Sequence, residues 1–100
     1  MKQGILLLAT LQLYPGYVTR IRCEGRLFAS AVGNEAQVRL EAFPKELGCG
    51  ALLKPLVANG RTNLILETSA GTIEQVLEIS PSKRPPEKEQ LSVSIKGVAK

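Results

Sequence analysis

The chain contains no histidine, no aspartate and no tryptophan, and only two cysteines. Neither a Ser-His-Asp nor a Cys-His arrangement can be assembled without His, and a His-ligated zinc site is equally excluded. Two cysteines also fall short of the four ligands of a structural zinc unless Glu residues or a second subunit complete the site. The acids are all Glu, and they alternate outward on strand-like stretches or lie near turns. None sits in the apolar surroundings that turn a carboxyl into a catalytic acid. Gly48-Cys49-Gly50 lacks the Gly-Lys-Ser/Thr continuation of a phosphate-binding loop. A non-enzymatic protein is expected, with no cofactor, no metal and no small-molecule substrate.

Aromatics are scarce as well. Tyr14, Tyr17, Phe28 and Phe43 are the whole set, which leaves little for an exposed stacking platform, and most are expected in the core. The apolar run over residues 4–9 is far shorter than the ~20 residues needed to span a bilayer. Gln12-Leu13-Tyr14-Pro15-Gly16 offers no small-residue cleavage motif after it, so the segment reads as an opening strand rather than a signal peptide. The net charge is +4 from 13 basic and 9 acidic residues. Arg20, Arg22, Arg26, Arg39, Lys45, Lys54 and Arg61 are scattered rather than blocked. A solvated surface explains them, and no nucleic-acid partner is expected.

What the sequence does contain is alternation. Thr62-Asn63-Leu64-Ile65-Leu66-Glu67-Thr68 has the β-branched and aliphatic make-up of a strand. Ser69-Ala70-Gly71 follows as a turn, with Gly71 the expected carrier of positive φ. Over 72–79, Ile73, Gln75, Leu77 and Ile79 fall on one side and Thr72, Glu74, Val76 and Glu78 on the other, the mark of a half-buried antiparallel strand. Residues 17–23 alternate with Tyr17, Thr19, Ile21 and Cys23 together. A strand over 26–32 turns Leu27 or Phe28 inward. Val38, Leu40 and Ala42 oppose Gln37, Arg39, Glu41 and Phe43. A loop with room for one helical turn covers 44–50, and a short extended piece follows over 52–56, with Pro55 at an edge or a strand end. Asn34 is expected to hold a left-handed turn, and Asn63 to hydrogen-bond a neighbouring loop backbone.

Short strands at this spacing, broken by Gly and Pro without helical periodicity, predict an all-β fold. The expected form is an immunoglobulin-like antiparallel β-sandwich of about seven to eight short strands. The sandwich domain is assigned to residues 1–80. Residues 81–90, with prolines and charges but no apolar side chain, read as a stiff, extended linker. Residues 91–100 resume alternation, with Leu91, Val93 and Ile95 on one face. They either complete the sandwich or pair with a neighbour, which makes Leu91, Val93, Ile95 and the turn cation Arg61 the candidate interface residues. Cys23 and Cys49 are a disulfide candidate if the protein is extracytoplasmic, closing a loop worth roughly 3 kcal/mol. In a cytoplasmic protein they read as two separate thiols.

The order of these pieces resembles a family. Val18-Thr19-Arg20-Ile21, then Leu27-Phe28-Ala29-Ser30-Ala31-Val32-Gly33-Asn34, then Leu53-Lys54-Pro55, then Arg61-Thr62-Asn63-Leu64 follow one another. They resemble the N-terminal β-sandwich of the periplasmic core-complex subunit of conjugative type IV secretion systems, and the N-terminal domain of secretins is similar in the same places. Asn34, Lys54, Pro55, Thr62, Asn63 and Leu64 carry the likeness. It implies a structural subunit of a bacterial secretion or conjugation complex, periplasmic and associated with an outer-membrane or envelope-spanning assembly. Its partners would be copies of itself and other envelope subunits, with membrane contact only through the complex. Two features depart from the family: Ile73, Gln75 and Leu77 stand where aromatics are usual, and the cysteine pair is not characteristic. A free-standing immunoglobulin-like module binding carbohydrate or acting as an adhesin is the alternative.

Overall fold

The computed structural model describes residues 5–7 and 10–95. Its centre is the expected hairpin. Strands β1 (Ile5–Leu7), β2 (Leu11–Leu13), β3 (Thr19–Arg22), β4 (Leu27–Val32) and β5 (Val38–Ala42) come first. A 3-10 turn over Lys45–Leu47 leads to β6 (Gly50–Pro55), β7 (Gly60–Thr68) and β8 (Gly71–Ile79). A short helix α1 (Lys88–Leu91) and β9 (Ser92–Ser94) close the described chain. The strands form two sheets, β1-β8-β7-β4 with β2 also on β8, and β5-β6-β3-β9. Taking β3 as the second strand of an immunoglobulin arrangement, β3, β6 and β5 stand as B, E and D. Strands β4, β7 and β8 then stand as C, F and G, so the fold is an all-β sandwich of that class.

Strands β7 and β8 pair antiparallel over their full length, from Gly60 opposite Ile79 to Thr68 opposite Gly71. The turn is therefore Ser69-Ala70, one residue shorter than expected. Gly71 opens β8 with φ of 131°, a value that L side chains adopt only under strain. The Thr68 hydroxyl fastens the turn, accepting from Ala70 N–H at 3.0 Å and donating to the Gly71 carbonyl at 2.9 Å. Ile73, Gln75, Leu77 and Ile79 are buried, as the alternation requires. Leu64 and Leu66 of β7 join them, and Leu13, Ile21, Val38 and Leu53 complete the core from other strands. Each such aliphatic side chain contributes about 1.5–3 kcal/mol on leaving water.

Three expectations are corrected. The sandwich is not purely antiparallel: β1 and β2 run parallel to β8, and β9 runs parallel to β3. These strands come from the two ends of the chain and reach their partners by long connections, so no hairpin imposes antiparallel order. Residues 81–90 are not uniformly extended, because α1 begins inside them. The Glu87 N–H donates to Gln90 Oε1 at 2.7 Å, one arm of a capping box. Gln90 Nε2 in turn donates to the Tyr14 hydroxyl at 3.0 Å, which ties the segment to the body.

The third correction concerns the aromatics, none of which is buried. Tyr17 is 38% and Phe28 63% exposed, while Tyr14 and Phe43 are half-buried. Aliphatic side chains already fill the space between the sheets. Phe28 falls at a register break in the β4–β7 pairing, between Leu27 and Ala29, which turns it out of the core. Leu27 takes the inward position and packs against the core. The Phe43 ring lies over Gly50, where a Cβ would come within 2.5 Å of it.

Cys23 and Cys49 form a disulfide, with S–S 1.99 Å and Cα atoms 5.0 Å apart. It joins the end of β3 to the start of β6 within one sheet, unlike the inter-sheet bridge of antibody domains. The ladder continues there, since Cys23 N–H donates to the Cys49 carbonyl at 3.0 Å.

Candidate interaction surface

The motif residues divide between scaffold and surface. Asn34 shapes the β4–β5 turn through its side chain: Oδ1 accepts from Ala36 N–H at 3.0 Å, and its carbonyl accepts from Gln37 N–H at 3.0 Å. The left-handed backbone expected at Asn34 is absent, since no described residue other than glycine has positive φ. An Asx-type bond closes the turn without it. Asn63 reaches across to β8, where Nδ2 donates to Glu74 Oε2 at 3.2 Å. The loop contact expected of its side chain is made by its backbone instead, as Gly33 N–H donates to the Asn63 carbonyl at 2.9 Å. Leu64 is core, Thr62 is half-buried, and Pro55 is buried at the end of β6 opposite Val38. Lys54 is exposed.

The candidate interface residues do not form one surface. Ile95 is 4% exposed and belongs to the core. Its N–H donates to the Arg22 carbonyl at 2.8 Å, so the segment is seated on β3 within the domain. Val93 lies opposite Ile21 and is half-buried, as is Leu91. Residues 96–98 of the expected strand lie outside the described residues. Of the four, only Arg61 is exposed.

A different surface stands open. β4 ends one sheet and β5 ends the other, and the turn around Asn34 joins them, so both edges lie on the same flank of the sandwich. Among the described residues no strand pairs with the outer edge of either. A groove of about 400 Å³ runs beside Phe28, Ser30, Ala42 and Phe43. A second of about 500 Å³ continues past Ser30 and Ala42 to Val38, Leu40 and Leu56. Phe28, Ala29, Ala31 and Leu56 are all exposed along this flank, Leu56 at 49%. The Arg26 guanidinium sits 5.9 Å from the centre of the Phe28 ring and fixes one end of the strip. Arg26 and Lys45 also line the first groove and Glu35 and Arg39 the second, and an edge backbone beside such hollows is an arrangement that accepts an added strand. The adjacent Leu27-Phe28 pair carried the signal in sequence, because successive side chains on a strand cannot both point inward.

Among the described residues no group of three or more metal-ligating side chains converges, and no helix is long and apolar enough to cross a membrane. No protein-family model matches the chain, and no curated protein matches it significantly.

Proposed function

We propose that this chain is a non-enzymatic assembly domain of a bacterial secretion or conjugation complex, located in the periplasm. It holds an extended segment of another envelope subunit along the flank between β4 and β5. The observation that carries the reading is that flank: two sheet edges side by side that no strand among the described residues covers, with Phe28 63% exposed at one end and grooves of mixed apolar and charged lining between them. A large exposed apolar side chain on an unprotected edge invites aggregation unless a partner covers it. The disulfide supports an oxidising compartment. The likeness over roughly residues 17–79 to conjugative core-complex sandwiches supports the type of machine.

The test is a photo-crosslinking residue at position 28, introduced in the native host, with position 83 on the proline-rich segment as control. The reading expects position 28 to capture one defined envelope subunit and position 83 not to. Equal or no capture at both positions would refute it.

A further inference from the structure

We infer that the two outer faces of the sandwich are the two halves of one contact, so that copies of this chain stack with the basic face of one on the acidic face of the next. The inference deepens the assembly reading and rests on it, but it uses different residues.

The outer face of the β5-β6-β3 sheet gathers cations that are scattered in sequence. Arg20 and Arg22 of β3 point away from the buried Thr19 and Ile21. Arg39 of β5 stands directly opposite Lys54 of β6. Like charges at directly opposed positions destabilise a sheet, and Glu41 is the only carboxylate on these strands' outer positions. The other outer face has the opposite sign. Glu67 of β7 and Glu74 and Glu78 of β8 point away from the core; Arg61, the only cation on the pair, stands directly opposite Glu78 and offsets it, so Glu67 and Glu74 carry the excess negative charge. Neutral donors hold two of these acids: Asn63 Nδ2 reaches Glu74, and the Thr72 hydroxyl reaches Glu67 at 3.4 Å. Their charge therefore remains available.

Both faces also have an apolar middle. Leu52 is half-buried between Arg20 and Glu41, bordering shallow hollows of about 450 and 200 Å³. Ile65 and Val76 are half-buried among the glutamates. An apolar centre with a charged rim is the usual anatomy of a protein contact. A second copy is the occupant argued here because each face is complementary to the opposite face of the same chain and repels itself. A two-fold dimer would set basic on basic. The complementary contact is head-to-tail, and repeating it builds a ring or an open stack.

The experiment is sedimentation velocity on the full chain at low (about 20 mM) and high (about 500 mM) ionic strength. It is repeated with Arg20→Gln/Lys54→Gln and with Glu67→Gln/Glu74→Gln, each checked for native circular dichroism. The unmodified chain should form species larger than a dimer at low salt, with association weakened at least about tenfold at high salt. Each variant alone should be monomeric. An equimolar mixture of the two has one intact pair of faces and should form a one-to-one dimer and nothing larger. A monomeric unmodified chain at low salt would overturn the inference. So would association indifferent to salt, or a mixture that stays monomeric. Because position 28 lies off both faces, capture there would still support the flank reading if stacking failed.

Discussion

The β7–β8 hairpin and the β3–β6 pair each occupy the middle of a sheet, and they are held together by different means. The hairpin joins two strands of 9 residues through a two-residue turn, with the register unbroken throughout. Almost everything it needs is local. Strand β3 has only 4 residues, and its partner β6 follows only after β4, β5 and the 3-10 turn. A disulfide spanning 26 residues pins that pair, and β9 covers its other edge. Local pairing forms at little loop-closure cost, whereas distant pairing costs more entropy and gains from a covalent clamp.

The contrast can be broken at three points. The largest effect is expected from Leu77→Ala in β8, whose side chain is fully buried in the shared core. It should cost about 3–4 kcal/mol and lower the denaturation midpoint seen by any probe of either sheet. Next, Cys23→Ser with Cys49→Ser should cost about 3 kcal/mol in the chain-entropy account. Hydrogen exchange should then show protection lost in β3, β6 and β9 while β7 and β8 keep the slowest amides. Equal loss in both sheets would show that the clamp is not specific to the distant pairing. The smallest effect, of opposite sign, belongs to Thr19→Val. Thr19 is fully buried, and its hydroxyl meets no hydrogen-bond partner among the described residues. Replacing the hydroxyl with a methyl should raise stability by about 1 kcal/mol in urea denaturation, by removing an unsatisfied polar group from the core.

The same contrast explains what could be read in the sequence. Ile73, Gln75, Leu77 and Ile79 were legible as one buried face because alternation and the turn beside it are local signals. The parallel placement of β1, β2 and β9 was not legible, since it depends on where distant segments dock. Ile95 reads either as part of a last strand of the sandwich or as an interface residue, and the pairing of β9 with β3 decides for the first and makes it core. Alternation allows only one of Leu27 and Phe28 to face inward, and the pairing with β7 is what assigns that place to Leu27. The candidate surfaces follow the same rule. Arg20, Arg22, Arg39 and Lys54 are far apart in the chain and carry no motif, and only strand register makes them neighbours. The edge of β4 becomes visible as an open flank only once β5 is placed beside it.

The measurement that bears most directly on the account is imaging of the native envelope assembly after mild detergent extraction. The account predicts copies of this sandwich recurring at regular positions in a large complex, with the β4–β5 flank covered by another subunit. A free monomer in the extract, with that flank bare, would contradict it and favour a stand-alone binding module.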